Sequence, residues 1–555
     1  MTLSLEHSKT VGLGIWTLLR QLRRIASSVD YSEVAQMLAA NYNEMWRVLG
    51  RILTARHVCA GVAGYALWRA IDALWVSPLR HVPGRFSYRL SSVFSLVDGI
   101  TGSTNDDMVG DCERFGHVFV MEPRKVAVCH PDDGRLVLSS YGFAKDPLYS
   151  NSDVLEPSIF TTRDAELNKR RRRQVGPALS MAGLQRMEPT VLAAGVQQLM
   201  RKWDGYVVQA GGRAKVCYFY DVKLMTFDVI ASLSLGHKHR SLTDGNRRTA
   251  GWVEKTFALM LAQMMVPAVK WWPLRGVAHL LLGRDIHEFL QFGYHTIQQR
   301  KADNAARMDH RPTDILQSFI DAEDPESKNK MTPSEVLTET ITMILGGVDT
   351  TSAAITWALH LLLLYPEHMK LLLDQLRHAF RTDQLVTYEM AKTHAPYLEA
   401  CVLESLRLCP TSTNLPRVVP KGGVTLSGGH HIPEGYTAVV SIAAAAMNPT
   451  VWPSPRLFDP TRFLGAGADA NRRNVLTFSA GVRICPGRHL AMIEIVTTLA
   501  NVLNRYNVEL PADARHGPHN VDAAGLPVIM PRTNMVSMVP KYPARDCNII
   551  ISTRS

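Results

Sequence analysis

The chain lacks the closely spaced cysteine pairs that hold disulfide scaffolds and zinc sites together. Its eight cysteines are scattered over 555 residues without a single Cys-x-x-Cys pair. Clustered cysteines are typical of small secreted domains and of structural zinc sites. Their absence argues against both classes and favours a reducing, cytosol-facing compartment.

The sequence also has no linker rich in proline, glycine and serine after about residue 80, and it has no internal repeat or low-complexity tract. Such features would mark domain boundaries or repeat architectures. The composition, 46% hydrophobic and 20% charged, is that of a globular protein with a large core. We therefore expect one folded body over residues 78–555.

No clean run of about 20 apolar residues, the length that crosses a bilayer as a helix, occurs near the N-terminus. Val11 to Leu19 is short and is followed by arginines, which is the wrong order for a signal peptide. Val58 to Val76 is longer but is interrupted by Arg69 and Asp72. We interpret residues 1–77 as a membrane-anchor region that spans once through Val58 to Val76 or lies in the interface. A soluble amphipathic extension is the alternative.

Basic residues exceed acidic ones, 61 against 50, which gives a formal charge of +11 and a pI near 9.2. Nucleic acid, a membrane surface or an acidic protein could each be the partner of such a chain. The densest cluster, Lys169 to Arg173, lacks the aromatic residues or recognisable module of a nucleic-acid reader. We expect no nucleic-acid partner, and the cluster alone could be a solvated helix face.

The longest predicted helix runs from Thr332 to Tyr365. Thr332, Pro333 and Glu335 supply a cap, a proline at the first helical position and an acid three residues after the cap. At 1.5 Å per residue this helix is roughly 50 Å long, enough to cross a domain. Its middle, Gly346 to Ser352, combines two glycines with an acid and hydroxyls. We expect a local opening for function there, with a packing notch as the alternative.

A second motif surrounds Cys485 in the segment Phe478 to Gly487. Gly481 permits a close backbone approach, and the apolar run Leu490 to Leu503 predicts a helix directly after the cysteine. The helix N-terminus would favour a negative sulfur, so we predict a metal-ligating thiolate. A buried structural cysteine is the alternative. A zinc site is disfavoured because His489 would be only a second ligand.

Glu404 and Arg407 form a third pattern. Their i, i+3 spacing places carboxylate and guanidinium on one helical face, and the flanking leucines suggest burial. A buried pair needs further partners to offset its desolvation. Arg462 is the candidate third member. It lies between Phe458, four residues before it, and Phe463, which directly follows it.

Together these motifs resemble the cytochrome P-450 superfamily of haem-thiolate monooxygenases. The matches are Phe478 to Gly487 for the cysteine loop, Glu404 and Arg407 for Glu-x-x-Arg, Arg462 for the downstream arginine, and Gly346 to Thr351 for the oxygen-activating helix. The resemblance covers roughly residues 78–545 and is nearest to fungal membrane-bound members. It implies a mainly α fold with a small β portion, in which the haem lies between a long central helix and a proximal cysteine loop.

The resemblance also implies roles for individual residues. Cys485 would be the axial thiolate of haem b, and thiolate donation favours cleavage of the O–O bond. Asp349 and Thr350 would be the acid and alcohol that deliver protons to dioxygen on the opposite face. Phe478 and Gly487 would flank the cofactor in the cysteine loop.

Further roles concern arginines. Arg172, Arg417 and Arg483 match positions that pair with the haem propionates in the family, and guanidinium groups suit carboxylates. Glu404, Arg407 and Arg462 would be a structural triad that retains the haem. One departure is Asn168, which stands where the family usually has Trp or His in the propionate contact, although an amide can still donate a hydrogen bond.

The function implied is insertion of one oxygen atom of dioxygen into an apolar small molecule, in secondary metabolism, with electrons from an NADPH-cytochrome reductase. The basic run Lys169 to Arg173 would receive that reductase. The expected location is the endoplasmic reticulum membrane with the catalytic domain facing the cytosol. Candidates for the distal pocket are the irregular loop Ser139 to Thr162, Val348, and Thr411 to Leu415. A reductase-independent isomerase or dehydratase and a haem-binding sensor or carrier are the alternatives.

Overall fold

The computed structural model describes residues 42, 44, 55–236, 240–244, 248–266, 269, 271, 274–306, 312–534 and 537–554. The chain forms two compact units, residues 1–76 and residues 77–555. The apolar run Val11 to Leu19 lies outside the described residues.

The first unit contains helix α1 (Ala55–Ile71), which continues as one π-helical turn, Asp72–Val76. Apolar side chains are exposed along this segment, with Tyr65 at 62% and Trp75 at 67% exposure. Such a surface is suited to a lipid interface. The interpretation of residues 1–77 as a membrane anchor stays a prediction.

The second unit is built mainly from helices. Their bounds are Phe86–Leu90 (α2), Val93–Thr101 (α3), Thr104–Phe115 (α4), Pro131–Leu138 (α5), Ala165–Val175 (α6), Met181–Val191 (α7), Gln197–Gln209 (α8), Tyr218–Leu235 (α9), Ser241–Asp244 (α10), Arg248–Met265 (α11), Leu274–Ala306 (α12), Ile315–Asp321 (α13), Pro333–Leu364 (α14), Pro366–Ala379 (α15), Tyr388–His394 (α16), Pro396–Leu408 (α17), Ile442–Ala446 (α18), Ala468–Asn474 (α19), Arg488–Arg505 (α20) and Pro543–Asp546 (α21).

The strands form small sheets. They are Val118–Glu122 (β1), Lys125–Val128 (β2), Ala214–Cys217 (β3), Asn414–Val418 (β4), Val424–Thr425 (β5), His431–Ile432 (β6), Thr437–Ser441 (β7), Tyr506–Glu509 (β8), Arg532–Asn534 (β9), Met538–Pro540 (β10) and Asn548–Thr553 (β11). The largest sheet has the order β1-β2-β7-β4, in which β2 and β7 are parallel and the other neighbours antiparallel. The predicted mainly α fold with a small β portion is confirmed.

The central helix α14 organises the core of the second unit. Its N-terminus carries the predicted capping box, in which the Thr332 side chain accepts from the amide of Glu335 and the Glu335 side chain accepts from the amide of Thr332. The helix runs without interruption from Pro333 to Leu364, so the expected local opening at Gly346 to Ser352 is wrong. A side-chain hydrogen bond within the helix accommodates the polar residues instead, as described below.

Helix α14 is also the one described helix whose length and hydropathy match a membrane span, and 83% of its apolar window is buried inside the protein. It is therefore a core helix. Its C-terminal half packs in the largest hydrophobic cluster with α17 and α20, and its N-terminal half packs in a second cluster with α9. The long helix thereby takes part in two hydrophobic clusters. Its middle lines a cavity that is described below.

Candidate active site

A cavity of about 800 Å³ lies between the middle of α14 and the cysteine loop. Gly346 and Thr350 line it from the helix, and Phe478, Cys485 and Gly487 line it from the loop. The structure thus brings together residues that are more than 120 positions apart in the sequence. The two motifs face one volume, as their predicted roles require.

The cysteine loop is shaped by backbone contacts. The amide of Cys485 donates to the carbonyl of Phe478 at 2.8 Å, which closes the loop. Gly481 has φ +64°, and a Cβ there would lie 2.1 Å from the carbonyl oxygen of Leu138. Only glycine fits this approach. Helix α20 begins at Arg488, close to the predicted start of the apolar run.

Different parts of the surroundings of Cys485 act in opposite directions on the ionisation of its thiol. Burial raises the pKa of the thiol, whereas the amide of Gly487 and the guanidinium of Arg172 act to lower that pKa. A buried thiolate therefore needs a cation beside it beyond the groups of the loop. Among the described residues no cluster of three or more metal-ligating side chains includes it, so the sulfur has no protein-built zinc site to join.

On the opposite side, the hydroxyl of Thr350 donates to the carbonyl of Gly346 at 2.6 Å, one turn earlier in α14. A Cβ on Gly346 would meet nothing within 4 Å, so this glycine leaves space in the cavity. Gly347 differs, because a Cβ there would lie 3.1 Å from Ile230 of α9. The first glycine opens the cavity wall, and the second is the packing notch that the sequence had left as an alternative.

Asp349 is placed differently from its neighbour Thr350. It is not among the residues that line the cavity, and its carboxylate forms an ion pair with Lys223 of α9 at 3.1 Å. Lys223 also pairs with Glu254 of α11 at 3.0 Å. The side chain of Asp349 keeps 23% of its surface exposed. The acid is thus between solvent and the cavity wall rather than in the cavity itself.

Four cationic side chains gather at one end of the cavity. Among the described residues, all four donate to neutral oxygens and form no ion pair; they are Lys145, Arg172, Arg417 and Arg483. Arg417 is 2% and Arg483 7% exposed. Burial and the neighbouring arginines lower the pKa of Arg483 to about 10. Buried cations without counter-ions are costly, so this end of the cavity favours an anionic ligand.

Lys145 is the member of this group that the sequence did not reveal. It lies in the irregular loop after α5, its ammonium group donates to the carbonyl of Phe160, and it faces the ring of Tyr149 at 4.6 Å. Burial, followed by the charges of Arg417, Arg483 and Arg172, holds its pKa well below the usual range. A single lysine in a loop belongs to no motif of fixed residue spacing, so the sequence carried no signal that could have identified it.

Asn168 orients one of the arginines. It is fully buried in α6, its amide nitrogen donates to the carbonyl of Ile159 at 2.9 Å, and its oxygen accepts from Arg172 at 3.3 Å and from Tyr141 at 3.1 Å. Asn168 does not line the cavity. Both ends of its amide are therefore used to fix Arg172 and the loop around Ile159.

Nearby acids pair with most of the basic run Lys169 to Arg173. Arg170 pairs with Glu335 at 2.9 Å, Arg171 is 2% exposed and pairs with Glu335 and Glu339, and Arg173 pairs with Asp324. Arg172 points into the cavity. Helix α6 uses most of these charges to attach itself to α14 and to the turn before it, while Lys169, Arg170 and Arg173 keep 42%, 31% and 26% of their side-chain surface exposed. The expectation that this run receives a reductase stays a prediction.

Glu404, Arg407 and Arg462 come together as the sequence suggested. Arg407 binds both oxygens of Glu404, at 2.8 and 2.7 Å, and both side chains are completely buried. Arg407 also donates to the carbonyls of Ala446, Pro455 and Leu457. Arg462 reaches Glu404 at 3.3 Å. These bonds tie α17 to the segment before the cysteine loop, and they offset the desolvation of the pair.

The distal-pocket candidates are partly confirmed by the cavity wall. The loop Ser139 to Thr162, which contains a 3-10 helix at Pro147–Ser152, and the segment Thr411 to Leu415 both line it. Val348 does not line it, because its position on α14 turns toward α9, where its carbonyl accepts from Thr226 at 3.2 Å.

The site fits a haem group. A haem has an axial coordination position, a flat apolar macrocycle and two carboxylates. Cys485 offers the axial ligand, Gly346 and Gly487 leave the walls unobstructed, and the four cations without counter-ions offer the carboxylate-binding end. Those otherwise uncompensated charges are the strongest structural indication that an anionic cofactor belongs there.

Comparisons with known proteins agree with this geometry. The family described as Cytochrome P-450 matches residues 109–534. Cytochrome P-450 monooxygenase helB1 of Aspergillus fumigatus is 38% identical over 511 residues, 91% of this chain and 87% of that protein. Cytochrome P-450 monooxygenase helB3 of the same fungus is 38% identical over 490 residues, 87% of this chain and 95% of that protein.

Among solved structures, the haem domain of cytochrome P-450DA aligns with a TM-score of 0.70 and 18% identity over 82% of this chain and 94% of that domain. At that identity the likeness shows the fold. The family match and the fungal relatives show more, because they cover most of the chain at substantial identity. The chain belongs to the cytochrome P-450 family and is an oxidoreductase, a haem-dependent monooxygenase of the kind whose haem is held by a cysteine thiolate.

Proposed function

We propose that this protein inserts one atom of dioxygen into a mostly apolar small molecule of fungal secondary metabolism, using electrons from an NADPH-cytochrome reductase. The observation that carries the proposal is the single cavity shared by the Cys485 sulfur, the Thr350 hydroxyl and four cations without counter-ions. A soft ligand, a proton donor and an anion-binding end are the parts that such chemistry needs. The fungal monooxygenase relatives support the biological setting.

The cofactor in this proposal is haem b. Cys485 would hold its iron, and Lys145, Arg172, Arg417 and Arg483 would hold its propionates. When bound, the haem supplies the activation of dioxygen. The protein supplies the position of the carboxylates, because the guanidinium groups are fixed by carbonyls and by Asn168.

Protons reach the cavity through α14. Asp349 is partly exposed and exchanges protons with solvent, while Lys223 restrains its carboxylate. Thr350, the next residue, presents its hydroxyl to the cavity and hydrogen-bonds to the Gly346 carbonyl, which keeps that hydroxyl at the wall. Once rotated away from this carbonyl, the hydroxyl donates its proton inside the cavity while it accepts a replacement relayed from solvent by Asp349, so that no alkoxide is left.

Electrons enter on the side of the cysteine loop. Helix α5 abuts this loop where Gly481 meets the carbonyl of Leu138. Arg135 of α5 donates to the carbonyl of Arg473 at 3.0 Å and pairs with Asp132, while Arg472 pairs with Asp469 at 3.2 Å. Both Arg472 and Arg473 are exposed. We assign this group, together with the run Lys169 to Arg173, to the basic surface that receives an acidic reductase. The exposed apolar residues of α1 support attachment to the endoplasmic reticulum membrane, with the catalytic unit in the cytosol.

The experiment combines the full chain with an NADPH-cytochrome reductase and a compound selected by its effect on the haem spin state. NADPH oxidised, product formed and hydrogen peroxide released are measured together. Thr350→Ala should divert most reducing equivalents to peroxide, because the proton donor at the cavity wall is gone. Thr351→Ala, the adjacent hydroxyl that also lines the cavity, is the matched control and should keep its coupling.

Unchanged coupling in Thr350→Ala would contradict the proton role. Product formed without NADPH and reductase would instead identify an isomerase or dehydratase, in which a proton donor for dioxygen has no use. A spin-state shift without any product under full turnover conditions would identify a sensor or carrier.

A further inference from the structure

Two cysteines outside the site around Cys485 lie against each other. Cys112 is in the last turn of α4, and Cys129 directly follows β2. Both pack in one small hydrophobic cluster with Phe115 and Phe119. Both are free thiols, and the thiol of Cys129 donates a hydrogen bond to the sulfur of Cys112. Two sulfur atoms at hydrogen-bonding distance need only a small side-chain movement to reach the length of a disulfide bond.

Backbone hydrogen bonds hold the two side chains together. The chain turns at Gly116, whose φ is +92°, and the amide of Gly116 donates to the carbonyl of Cys112 at 3.0 Å. The next residue, His117, accepts at its carbonyl from the amide of Cys129 at 2.8 Å. The end of α4 and the end of β2 are therefore attached to each other close to both sulfur atoms.

The two thiols differ in their surroundings. Cys112 is partly exposed, whereas Cys129 is fully buried. The hydrogen bond from Cys129 lowers the pKa of Cys112, while burial raises the pKa of Cys129. Oxidation of a cysteine begins at the thiolate and requires access for the oxidant. Cys112 therefore has the properties of the cysteine that reacts first, and Cys129 is placed to react with its oxidised form.

We propose that Cys112 and Cys129 are a peroxide-sensitive pair that forms a disulfide between α4 and the end of β2. The Cys112 thiolate attacks hydrogen peroxide, so that an S–O bond forms, the O–O bond breaks and hydroxide leaves as water after protonation. The sulfur of Cys129 then attacks the sulfenic acid, an S–S bond forms, the S–O bond breaks and a second water leaves with the proton of Cys129. The two thiols lose two electrons, which reduce one peroxide to two waters.

Hydrogen peroxide is the by-product expected whenever the proposed monooxygenase reaction is uncoupled, and only this source of the oxidant rests on the proposed function. Disulfides of reducing compartments are typically transient and redox-sensing. A thiol such as glutathione would return the pair to its reduced form by exchange. The pair would therefore respond to peroxide reversibly.

The cross-link would join two parts of the protein that support the cavity. Thr104, at the start of α4, lines the cavity. Cys129 is followed by His130, the N-cap of α5, and the far end of α5 meets the cysteine loop where Leu138 contacts Gly481. We therefore expect the disulfide to lock a helix of the cavity wall to the segment that leads to the cysteine loop.

The experiment treats the reduced, haem-loaded full chain with hydrogen peroxide, and imidazole is added to occupy the iron and keep peroxide from it. Remaining thiols are blocked with N-ethylmaleimide in acid, and the digested protein is analysed by mass spectrometry. Peptides that contain Cys112 and Cys129 should be linked, and dithiothreitol should separate them. The apparent thermal midpoint of the oxidised form should be higher by about 2–4 °C, because the cross-link restricts the unfolded chain.

A second pair of cysteines in the same chain is the internal control. Cys217 ends β3 and Cys547 directly precedes β11, which pairs with β3. Their sulfurs have other partners, since Cys217 donates to the carbonyl of Pro543 at 3.5 Å and Cys547 contacts the sulfur of Met530 at 3.7 Å. Cys217 and Cys547 should stay thiols under the conditions that link Cys112 to Cys129.

Two variants separate the steps. In Cys129→Ala the reaction should stop at the sulfenic acid of Cys112, which dimedone labels. In Cys112→Ser the thiol of Cys129 should survive the treatment, and peroxide should not raise the thermal midpoint. If Cys129→Ala does not fold, Cys112→Ser, at a partly exposed position, gives the comparison alone.

Absence of the link between Cys112 and Cys129 in the unaltered protein, an equally abundant link between Cys217 and Cys547, or an oxidised form with no higher midpoint would each overturn the proposal. The spectrum of the reduced carbon monoxide complex is recorded separately. A missing thiolate-type band would contradict the proposed function, whereas the peroxide experiment, which uses added oxidant, would be decided by the same criteria.

Discussion

Replacing Lys145 by methionine tests whether the cations of the cavity bind the carboxylates of a cofactor. The side chain is 5% exposed and hydrogen-bonded to the carbonyl of Phe160, and burial together with three nearby arginines lowers its pKa well below the usual range. In the absence of an anion this ammonium group is unfavourable. A carboxylate beside it would reverse that, because an opposite charge favours the protonated amine.

The magnitude follows from the kind of bond that is lost. A hydrogen bond to a charged group contributes about 1.5–3 kcal/mol, which corresponds to a change of about 10- to 150-fold in an equilibrium constant. Lys145→Met keeps the length and apolar volume of the stem, so packing against Tyr149 is retained. We expect haem to dissociate faster from the variant by a factor in this range.

The assay follows transfer of haem from the purified holoprotein to an excess of apomyoglobin by absorbance. Lys125→Met is the control, because Lys125 lines the same cavity but is paired with Glu122 at 3.1 Å and is partly exposed. Its haem should leave at nearly the rate of the unaltered protein. Equal transfer rates for Lys145→Met and the unaltered protein would refute the assignment of this end of the cavity to the propionates.

Two further predictions concern stability. Arg407→Met leaves the buried carboxylate of Glu404 without its main partner and should lower the free energy of unfolding by about 3–5 kcal/mol, whereas Arg381→Met at an exposed pair should cost under about 1 kcal/mol in the same urea titration. His360 is fully buried, and burial lowers its pKa from 6.5 to about 3, so the unfolded chain takes up the proton first as the pH falls below 6.5. The free energy of unfolding should therefore decrease by up to about 1.4 kcal/mol per pH unit as the pH falls from 6.5 to 3. His360→Gln, which keeps an acceptor for the amide of Met530, should flatten this slope. An unchanged slope in the variant would contradict the assignment to His360.

The features that the sequence predicted well are those set by neighbouring residues. The capping box at Thr332 and Glu335 is confirmed because its hydrogen bonds span three positions, and the helix after Cys485 is confirmed because its apolar run is continuous. The Glu404–Arg407 pair is likewise local, with i, i+3 spacing. Short-range geometry is available from the sequence without knowledge of the fold.

Most of the errors concern contacts with distant parts of the chain. Five consecutive basic residues looked like one surface, yet helix phase and the distant acids Glu335, Glu339 and Asp324 decide which of them are buried. Lys145 was missed because its partners, Arg417 and Arg483, lie more than 250 positions away. The polar middle of α14 appeared too costly for an unbroken helix, but Thr350 satisfies its hydroxyl on the Gly346 carbonyl within the helix itself.

The central claim is that Cys485 is the thiolate ligand of a haem in this cavity, and the absorption spectrum of the reduced protein with carbon monoxide tests it most directly. The account predicts the red-shifted Soret band of a thiolate-ligated haem in the unaltered protein. Cys485→Ala should lose that band, and Cys409→Ala, a buried cysteine that does not line the cavity, should retain it. A histidine-type band in the folded unaltered protein, or a thiolate band that survives Cys485→Ala, would contradict the account.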